Sequence, residues 1–303
     1  MEVNRPTVEH VSVLARTLAE QINLPLDGVM VDATIGYGGH SLLFGLSLGS
    51  QGVIVGFDVD RQALEAAQVR LKELRCKVIL INENFSQMAE RLAELNIEEV
   101  DFILADLGIS SGQLADVETG LSYRIDSPLD MRIDKRLETT AADIINRADE
   151  KFLADLIYRF GQDRASRRIA RYIVRQRERG PITATGQLAA VVCRALGRSA
   201  GRSRYRKHPA TRTFQALRIA VNNELENLER LLGSGPALLN RDGRMAVISY
   251  HSLEDGLVKS NFRENAKLGV YTVITKKPIR PTGEEIAVNH RARSARLRIA
   301  QKR

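Results

Sequence analysis

The stretch VMVDATIGYGGH, residues 29–40, decides the fold of this chain. Its apolar start predicts a short strand that ends in an acid, Asp32, and its glycines predict a sharp turn that lets a ligand lie close to the backbone. An apolar helical pattern follows, and a second apolar run at residues 53–57 is followed by Asp58. A carboxylate about 20 residues after such glycines binds ribose in nucleotide-binding βαβ units, so we expect a ribose site here.

The glycine turn excludes two common nucleotide sites. The dinucleotide pattern G-x-G-x-x-G lacks its third glycine, because Ser41 stands in that place, and a triphosphate-binding loop is excluded because no lysine follows. The additional acid upstream, Asp32, suits a ligand that has a cationic centre and no pyrophosphate. S-adenosyl-L-methionine, with its sulfonium, amino-acid end and ribose, is such a ligand. The alternative is a glycine-rich βα turn that binds nothing.

Further apolar runs, including one at residues 100–104, alternate with helical patterns. This alternation predicts a parallel, doubly wound sheet, whose strands end at the edge where open α/β sheets bind ligands. Asp106 follows the fourth strand and is expected beside Asp32 and Asp58 at that edge. Phe85 falls just past the third strand, where it either stacks against adenine or fills the core.

The composition sets the class of protein. A chain of 303 residues fits one large or two modest domains, and a 44% apolar content is enough for a sizeable core. The net charge of +8 favours a polyanionic partner, although excess charge can also serve solubility alone. Cys76 and Cys193 are too few for a disulfide framework and lack zinc spacing, so two buried thiols and a cytoplasmic location are expected. We expect no targeting peptide, no membrane span and no metal.

The alternation breaks after the fourth strand, because residues 114–212 contain helical patterns and turns without a convincing strand. We therefore expect an inserted all-helical, substrate-binding domain at 114–212 and a discontinuous sheet domain at 1–113 and 213–303. The insertion has a face of four arginines and a second basic run from Arg198 to Arg212. Both are either solvated or bind phosphates, and with the net charge they favour nucleic acid. The four arginines are Arg164, Arg168, Arg171 and Arg175.

The α/β rhythm then resumes with a long amphipathic helix, predicted over residues 214–232, and a fifth strand at 245–249. Ser252 and Asp255 are spaced as a capping box for the next helix. His251 therefore falls at the ligand edge of the sheet, where it either orients a substrate or is structural. Two closing strands are predicted after this helix.

Several motifs together resemble one family, the RsmH (MraW) methyltransferases. The resemblance runs in order from about residue 10 to residue 300, and its motifs are very specific in combination. It implies a Rossmann-like S-adenosylmethionine-dependent methyltransferase sheet with an inserted all-helical domain. It also implies methylation of N4 of a cytidine in bacterial small-subunit ribosomal RNA, at the decoding site. The motifs are DAT (32–34), GGHS (38–41), DLGISS (106–111), PLDMR (128–132), KHPATRTFQ (207–215), HSLED (251–255) and RSARLR (293–298).

The resemblance also implies site residues and partners. The partner is small-subunit ribosomal RNA or the small ribosomal subunit, held with help from the helical insertion, and the protein is expected to be a monomer or a homodimer. The chain departs from the family at Ser12, where proline is usual, at Tyr250, where phenylalanine is usual, and at Leu121, which replaces an aromatic residue. By motif match, the cofactor contacts fall on Gly38, Gly39, His40, Asp58, Phe85, Asp106 and Gln113.

Cytosine N4 is a poor nucleophile because its lone pair is delocalised into the ring. A site must therefore accept its N–H bonds and take up the proton. Asp106 is the candidate catalytic acceptor, together with the Leu107 carbonyl, and the alternative is that Asp106 only binds the cofactor. The prolines and the aromatic residue that many amino-methyltransferases carry after this acid are absent here. We therefore expect Tyr123 or Tyr250 to stack on the target base.

Two other classes of protein share part of this pattern. A nicotinamide-dependent oxidoreductase shares the βαβ start and Asp58, but it predicts NADH binding and a second mononucleotide half, for which the helical insertion leaves no room. A non-catalytic RNA-binding ribosome assembly factor shares the basic surfaces and predicts no methyl transfer. The glycine turn and the strand-end acids argue against that second alternative.

Overall fold

The structure is a computed structural model that describes residues 12–110, 112–113, 116–123, 125–198 and 208–303. The chain divides into two compact units. The sheet unit combines the residues up to Gly108 with Glu226–Arg303, and the helical unit consists of Ile109–Leu225.

Strands and helices alternate at first, then helices follow one another, and strands return at the end. The first part contains α1 (Ala15–Gln21), β1 (Val29–Asp32), α2 (Gly39–Gly45), β2 (Val53–Phe57), α3 (Arg61–Leu71), β3 (Lys77–Ile81), α4 (Met88–Glu94) and β4 (Val100–Asp106). The second contains α5 (Ala141–Arg147), α6 (Glu150–Gly161), α7 (Ser166–Arg177), α8 (Thr185–Ala195), α9 (Thr211–Val221) and α10 (Glu224–Leu238). The third contains β5 (Leu239–Ser249), α11 (Ser252–Lys267), β6 (Tyr271–Val273), α12 (Gly283–Val288) and β7 (Arg296–Lys302).

The seven strands form one sheet in the order β3-β2-β1-β4-β5-β7-β6. The first five strands of this order are parallel, with Val31 of β1 opposite Val55 of β2 and Ile103 of β4. β7 runs antiparallel to both of its neighbours. The direction of the strand order reverses between β1 and β4, and such a switch point opens a ligand crevice at the carboxyl ends of the strands. The predicted Rossmann-like α/β fold is confirmed.

Both faces of the sheet are buried, which explains why its strands read as continuous apolar runs. Successive residues of a strand point to opposite faces, so Val31 and Ile103 join one core cluster while Met30 and Phe102 join the other. Helices cover each face and hold the loops at the strand ends in place. Among the described helices, none has the length and apolar character that crossing a bilayer requires.

The helical unit has its own apolar core, to which α5 to α9 contribute. Residues of the PLDMR motif cross this core as a strap: Leu129 N donates to Thr183 O, and Met131 N donates to Thr119 O. Asp130 accepts hydrogen bonds from the Arg132 guanidinium at 2.8 and 3.0 Å. The motif therefore ties segments of the helical unit together that are distant in sequence.

The prediction of one helix over residues 214–232 is wrong, because α9 ends at Val221 and α10 begins at Glu224. Asn223 adopts a left-handed conformation, with φ of 50°. The Asn222 side chain instead bonds the strap, donating to Met131 O and accepting from Ile133 N, each at 2.8 Å. Asparagine tolerates the left-handed region, and its amide competes for backbone groups, so the pair ends the helix.

Candidate active site

The turn after β1 needs its glycines. Gly36 and Gly38 have φ of 49° and 74°, a region that side chains with a Cβ rarely adopt. A Cβ at Gly39, where α2 begins, would collide with the Ser12 hydroxyl. These three positions keep the turn tight at the carboxyl end of β1.

Asp32 shapes this turn from within. The Ser41 hydroxyl donates to Asp32 Oδ2 at 2.7 Å, and Thr34 N donates to Asp32 Oδ1 at 3.2 Å. The residue is buried, and burial raises the pKa of its carboxyl. The Asp32 carboxylate therefore contacts the turn and the first residues of α2, and the expectation that it faces a cationic ligand stays a prediction.

Asp58 lies against the same turn from the end of β2. Its Oδ2 accepts from Gly36 N and its Oδ1 from Asp60 N, both at 2.9 Å. Burial raises the pKa of Asp58 to about 6. Each carboxylate oxygen has two acceptor sites, so Asp58 can still accept hydrogen bonds from a pair of hydroxyls.

Asp106 is the last residue of β4, and it also contacts the turn after β1. Its N–H donates to Thr34 Oγ1 at 2.7 Å, which ties the β4 end to the β1 turn. Its Oδ1 accepts from the Tyr250 hydroxyl at 2.7 Å, and its Oδ2 lies 3.6 Å from His40 Nε2. The structure therefore brings Asp106, His40 and Tyr250 together beside the glycine turn.

His40 is the group in this cluster that lacks a partner. Its side chain is buried, and neither ring nitrogen has a hydrogen bond to any of the described residues. A buried polar group without a hydrogen bond costs free energy, and such a group at a strand-end crevice indicates that a ligand supplies the missing contact. The residues present therefore fit a polar ligand that reaches from Asp58 to Asp106.

Two predicted cofactor residues lie outside this cluster. Phe85 begins a 3₁₀ helix, Phe85–Gln87, after β3, and its half-buried ring packs against the core cluster that contains Val31. Gln113 belongs to the helical unit, where its Oε1 accepts from Ser110 N at 3.0 Å and its N–H donates to Ser110 Oγ at 3.1 Å. The sheet unit thus gathers Gly38, Gly39, His40, Asp58 and Asp106 around one turn.

The residues after β5 have roles that the sequence predicted only in part. The predicted capping box of Ser252 and Asp255 is wrong, because His251 caps α11: its side chain accepts from Glu254 N, and Glu254 Oε2 accepts from His251 N. His251 thus has a structural role as the cap of α11, and a role in orienting a substrate stays a prediction. Asp255 instead accepts from Arg298 Nε at 2.6 Å.

The two tyrosines expected to stack on a base are both engaged. Tyr123, in the helical unit, stacks on His208 with ring centroids 4.6 Å apart, and its hydroxyl lies 3.1 Å from Thr211 Oγ1. Tyr250 packs its ring against Gly108, where an added Cβ would come within 2.9 Å. Its bond to Asp106 was not predicted, and the position of Tyr250 just after β5 was the available signal.

Comparison with known proteins identifies the family. The MraW methylase family matches residues 7–303. Relatives named "Ribosomal RNA small subunit methyltransferase H" include that of Clostridioides difficile, 41% identical over 97% of this chain and 98% of the relative. That of Acidobacterium capsulatum is 46% identical over 97% of this chain and 98% of the relative. That of a Cyanothece species is also 46% identical, over 98% of this chain and 96% of the relative. A solved "rRNA Methylase" from Streptococcus thermophilus is 13% identical, with a TM-score of 0.41 over 95% of this chain and 93% of that one. The predictions of the family and of a methyltransferase enzyme are confirmed, since the chain belongs, over nearly its whole length, to the MraW methylases.

Proposed function

We propose that this chain uses S-adenosyl-L-methionine to methylate N4 of a cytidine in small-subunit ribosomal RNA, near the decoding site, in the cytoplasm. The observation that carries the proposal is the cluster of Asp106, His40 and Tyr250 beside the glycine turn. The names of relatives that are 41–46% identical support small-subunit ribosomal RNA as the substrate. The cytidine N4 and the decoding site rest on the motif resemblance.

The residues around the turn fit the methyl donor. S-adenosylmethionine supplies a methyl group activated by a sulfonium. Asp58 would hold the ribose hydroxyls, the backbone at Gly38 and Gly39 would let the ligand approach, and the unpartnered His40 would gain a hydrogen bond. Phe85 at the end of β3 and Gln113 of the helical unit complete the proposed set.

Asp106 is the proposed proton acceptor. Its Oδ1 is held by the Tyr250 hydroxyl, while its side chain remains 17% exposed. A carboxylate fixed in this way can accept an N–H bond of cytosine N4, direct the nitrogen lone pair and take up the proton. The alternative is that Asp106 contacts only the cofactor, and a variant at this position distinguishes the two roles.

We propose that residues 114–212 form a substrate-binding domain for RNA. On α7, Arg171 and Tyr172 each lie three or four residues from both Arg168 and Arg175, so the four side chains share one face, with Tyr172 38% exposed. Exposed arginines bind phosphates, and an exposed aromatic ring can stack on an unpaired base. Arg164 precedes α7 and so does not extend this face as a helical residue.

The second basic run, from Arg198 to Arg212, supports RNA binding only through those of its residues that the structure describes. Its residues Arg202, Arg204, Arg206 and Lys207 lie outside the described part of the chain. Arg212, at the start of α9, is exposed in part and donates to Gln162 O at 3.1 Å. The support for RNA binding therefore comes chiefly from the face of α7.

One assay tests the proposed function. Small subunits from a strain that lacks the enzyme are incubated with this protein and S-adenosylmethionine labelled in the methyl group, and the labelled nucleoside is then mapped. We expect label on N4 of one cytidine near the decoding site. Free ribosomal RNA assayed in parallel shows whether the assembled subunit is required. An assembly factor without catalytic activity would bind the particle and transfer no label.

A further inference from the structure

A second concave site lies in the sheet unit, at the end of the sheet that β6 and β7 form. It is a cavity of about 400 Å³. Its residues come from α11, β6, β7 and the segment just after β6, so none of them belongs to the turn after β1 or to the end of β4. The lining residues are Lys259, Phe262, Arg263, Val273, Lys276 and Arg298.

Four of the six lining residues are cationic, and no acid lines the cavity. Arg298 is buried, and its charge is compensated because its Nε donates to Asp255 Oδ1 at 2.6 Å. Lys259, Arg263 and Lys276 are exposed, and within the described ranges none of them has an ion pair or a hydrogen bond to an acid.

Three uncompensated cations around one concavity repel each other, and Lys259 and Arg263 are also four residues apart on α11. An anion in the cavity would offset this repulsion. The apolar floor does not offer a stacking surface, because Phe262 is only 1% exposed. Without an acid for sugar hydroxyls and without an exposed ring for a base, the cavity is suited to a phosphate group.

We propose that this basic pocket, lined by Lys259, Arg263 and Lys276, binds a backbone phosphate of the RNA substrate. The identity of the polyanion as ribosomal RNA rests on the proposed function. Arginine and lysine are the residues that bind phosphates in RNA-binding proteins, and each such contact adds to the salt dependence of binding. The pocket gives the sheet unit its own contact to RNA, independent of the arginine face on α7.

The test compares two triple variants that lose the same charge. The pocket variant is Lys259→Gln/Arg263→Gln/Lys276→Gln. The control variant is Lys72→Gln/Arg75→Gln/Lys77→Gln, whose residues are also exposed and lie just before β3 or at its first residue, at the opposite end of the strand order. Binding of full-length small-subunit ribosomal RNA is measured by filter retention from low to high salt, and calorimetry with S-adenosylhomocysteine checks that both variants are folded.

We expect the pocket variant to bind the RNA about tenfold more weakly and to reduce the slope of log K against log salt by about 1, for the one phosphate that the pocket contacts. The control variant should stay within about threefold of wild type. Equal weakening of both variants overturns the inference, since it shows a general effect of charge. If the pocket variant binds the RNA as tightly as wild type does, and wild type methylates the RNA, the inference is wrong and the proposed function stands. If wild type binds no ribosomal RNA, both the inference and the proposed function are wrong.

Discussion

The Tyr250 hydroxyl donates a hydrogen bond of 2.7 Å to Asp106 Oδ1, across 144 positions of sequence. Burial and the Asp106 carboxylate both raise the pKa of Tyr250, so the phenol stays protonated and remains a donor at neutral pH. One oxygen of Asp106 is thereby fixed, and the carboxylate cannot rotate freely.

Replacement of Tyr250 by phenylalanine should lower the stability of the protein more than its rate of methyl transfer. The variant keeps the ring packing against Gly108 and removes a hydrogen bond to a charged acceptor, so the free energy of unfolding should fall by about 1–3 kcal/mol. Methyl transfer should stay within about threefold of wild type, because Asp106 itself is retained. Denaturant unfolding and single-turnover assays measure the two effects. A loss of activity beyond about thirtyfold with normal cofactor binding would place the hydroxyl in the reaction itself.

The Asp106→Asn variant separates the two proposed roles of Asp106. An amide can still accept the Tyr250 hydrogen bond, but it cannot take up a proton. We expect methyl transfer to fall about 10²- to 10⁴-fold, the usual range for loss of an acid–base group, while S-adenosylhomocysteine binds within about tenfold of wild type. Single-turnover rates and calorimetry check this. Full turnover with normal cofactor binding would falsify the acceptor role.

Asp58 should make the stability of the ligand-free protein depend on pH. Its pKa of about 6 in the folded state lies above its ordinary value of 3.8. Between these two values the folded state binds the proton more tightly than the unfolded state, so the contribution of Asp58 to stability falls as pH rises through this window. The full change amounts to about 3 kcal/mol. Thermal unfolding of wild type and Asp58→Asn from pH 4 to 7 should show the fall in wild type only.

Cofactor affinity should change with pH in the opposite direction. Asp58 accepts hydrogen bonds from ribose hydroxyls best as a carboxylate, so affinity should rise between pH 5 and 7 by up to about tenfold. Calorimetry with S-adenosylhomocysteine at pH 5, 6, 7 and 8 measures this rise, and the Asp58→Asn variant should bind weakly at every pH. An affinity of wild type that does not vary over this range would contradict a ribose contact at Asp58.

The arginine face of α7 should contribute to RNA affinity through charge. Arg168 and Arg175 are exposed and have no ion pair within the described ranges, so Arg168→Gln/Arg175→Gln should reduce the slope of log K against log salt by about 1 to 2. The matched control is Arg136→Gln/Arg147→Gln, because those two arginines already pair with Asp134 and Asp143. If both double variants give the same slope, α7 does not contact phosphates.

The strands of the sheet were predictable because burial on both faces leaves continuous apolar runs. β1 and β2 have their predicted bounds, and β4 extends two residues past the predicted end at residue 104. β5 begins at Leu239, well before the predicted residue 245, and includes polar residues. Its Asn240 side chain donates to Asp101 of the neighbouring strand β4 at 2.9 Å, and no local pattern reveals a contact between residues so far apart in sequence.

The candidate site was predictable in its residue types and only partly in their roles. Acids at strand ends were expected to meet at one edge, and Asp58 and Asp106 do lie against the same turn. Their hydrogen-bond partners depend on contacts between distant segments, so the internal role of Asp32 and the Tyr250 bond to Asp106 were missed. The apolar periodicity of residues 214–232 also continues through Asn222, but α9 ends at Val221. The helix ends there because the side-chain amide of Asn222 bonds Met131 O, which is distant in sequence.

During synthesis, β4 leaves the ribosome long before β5, because the whole helical unit lies between them. At ordinary elongation rates, roughly 7 to 27 seconds separate the emergence of Asp106 from that of Leu239. For this time the central strand of the sheet has an unpaired apolar edge, of the kind on which nascent chains aggregate.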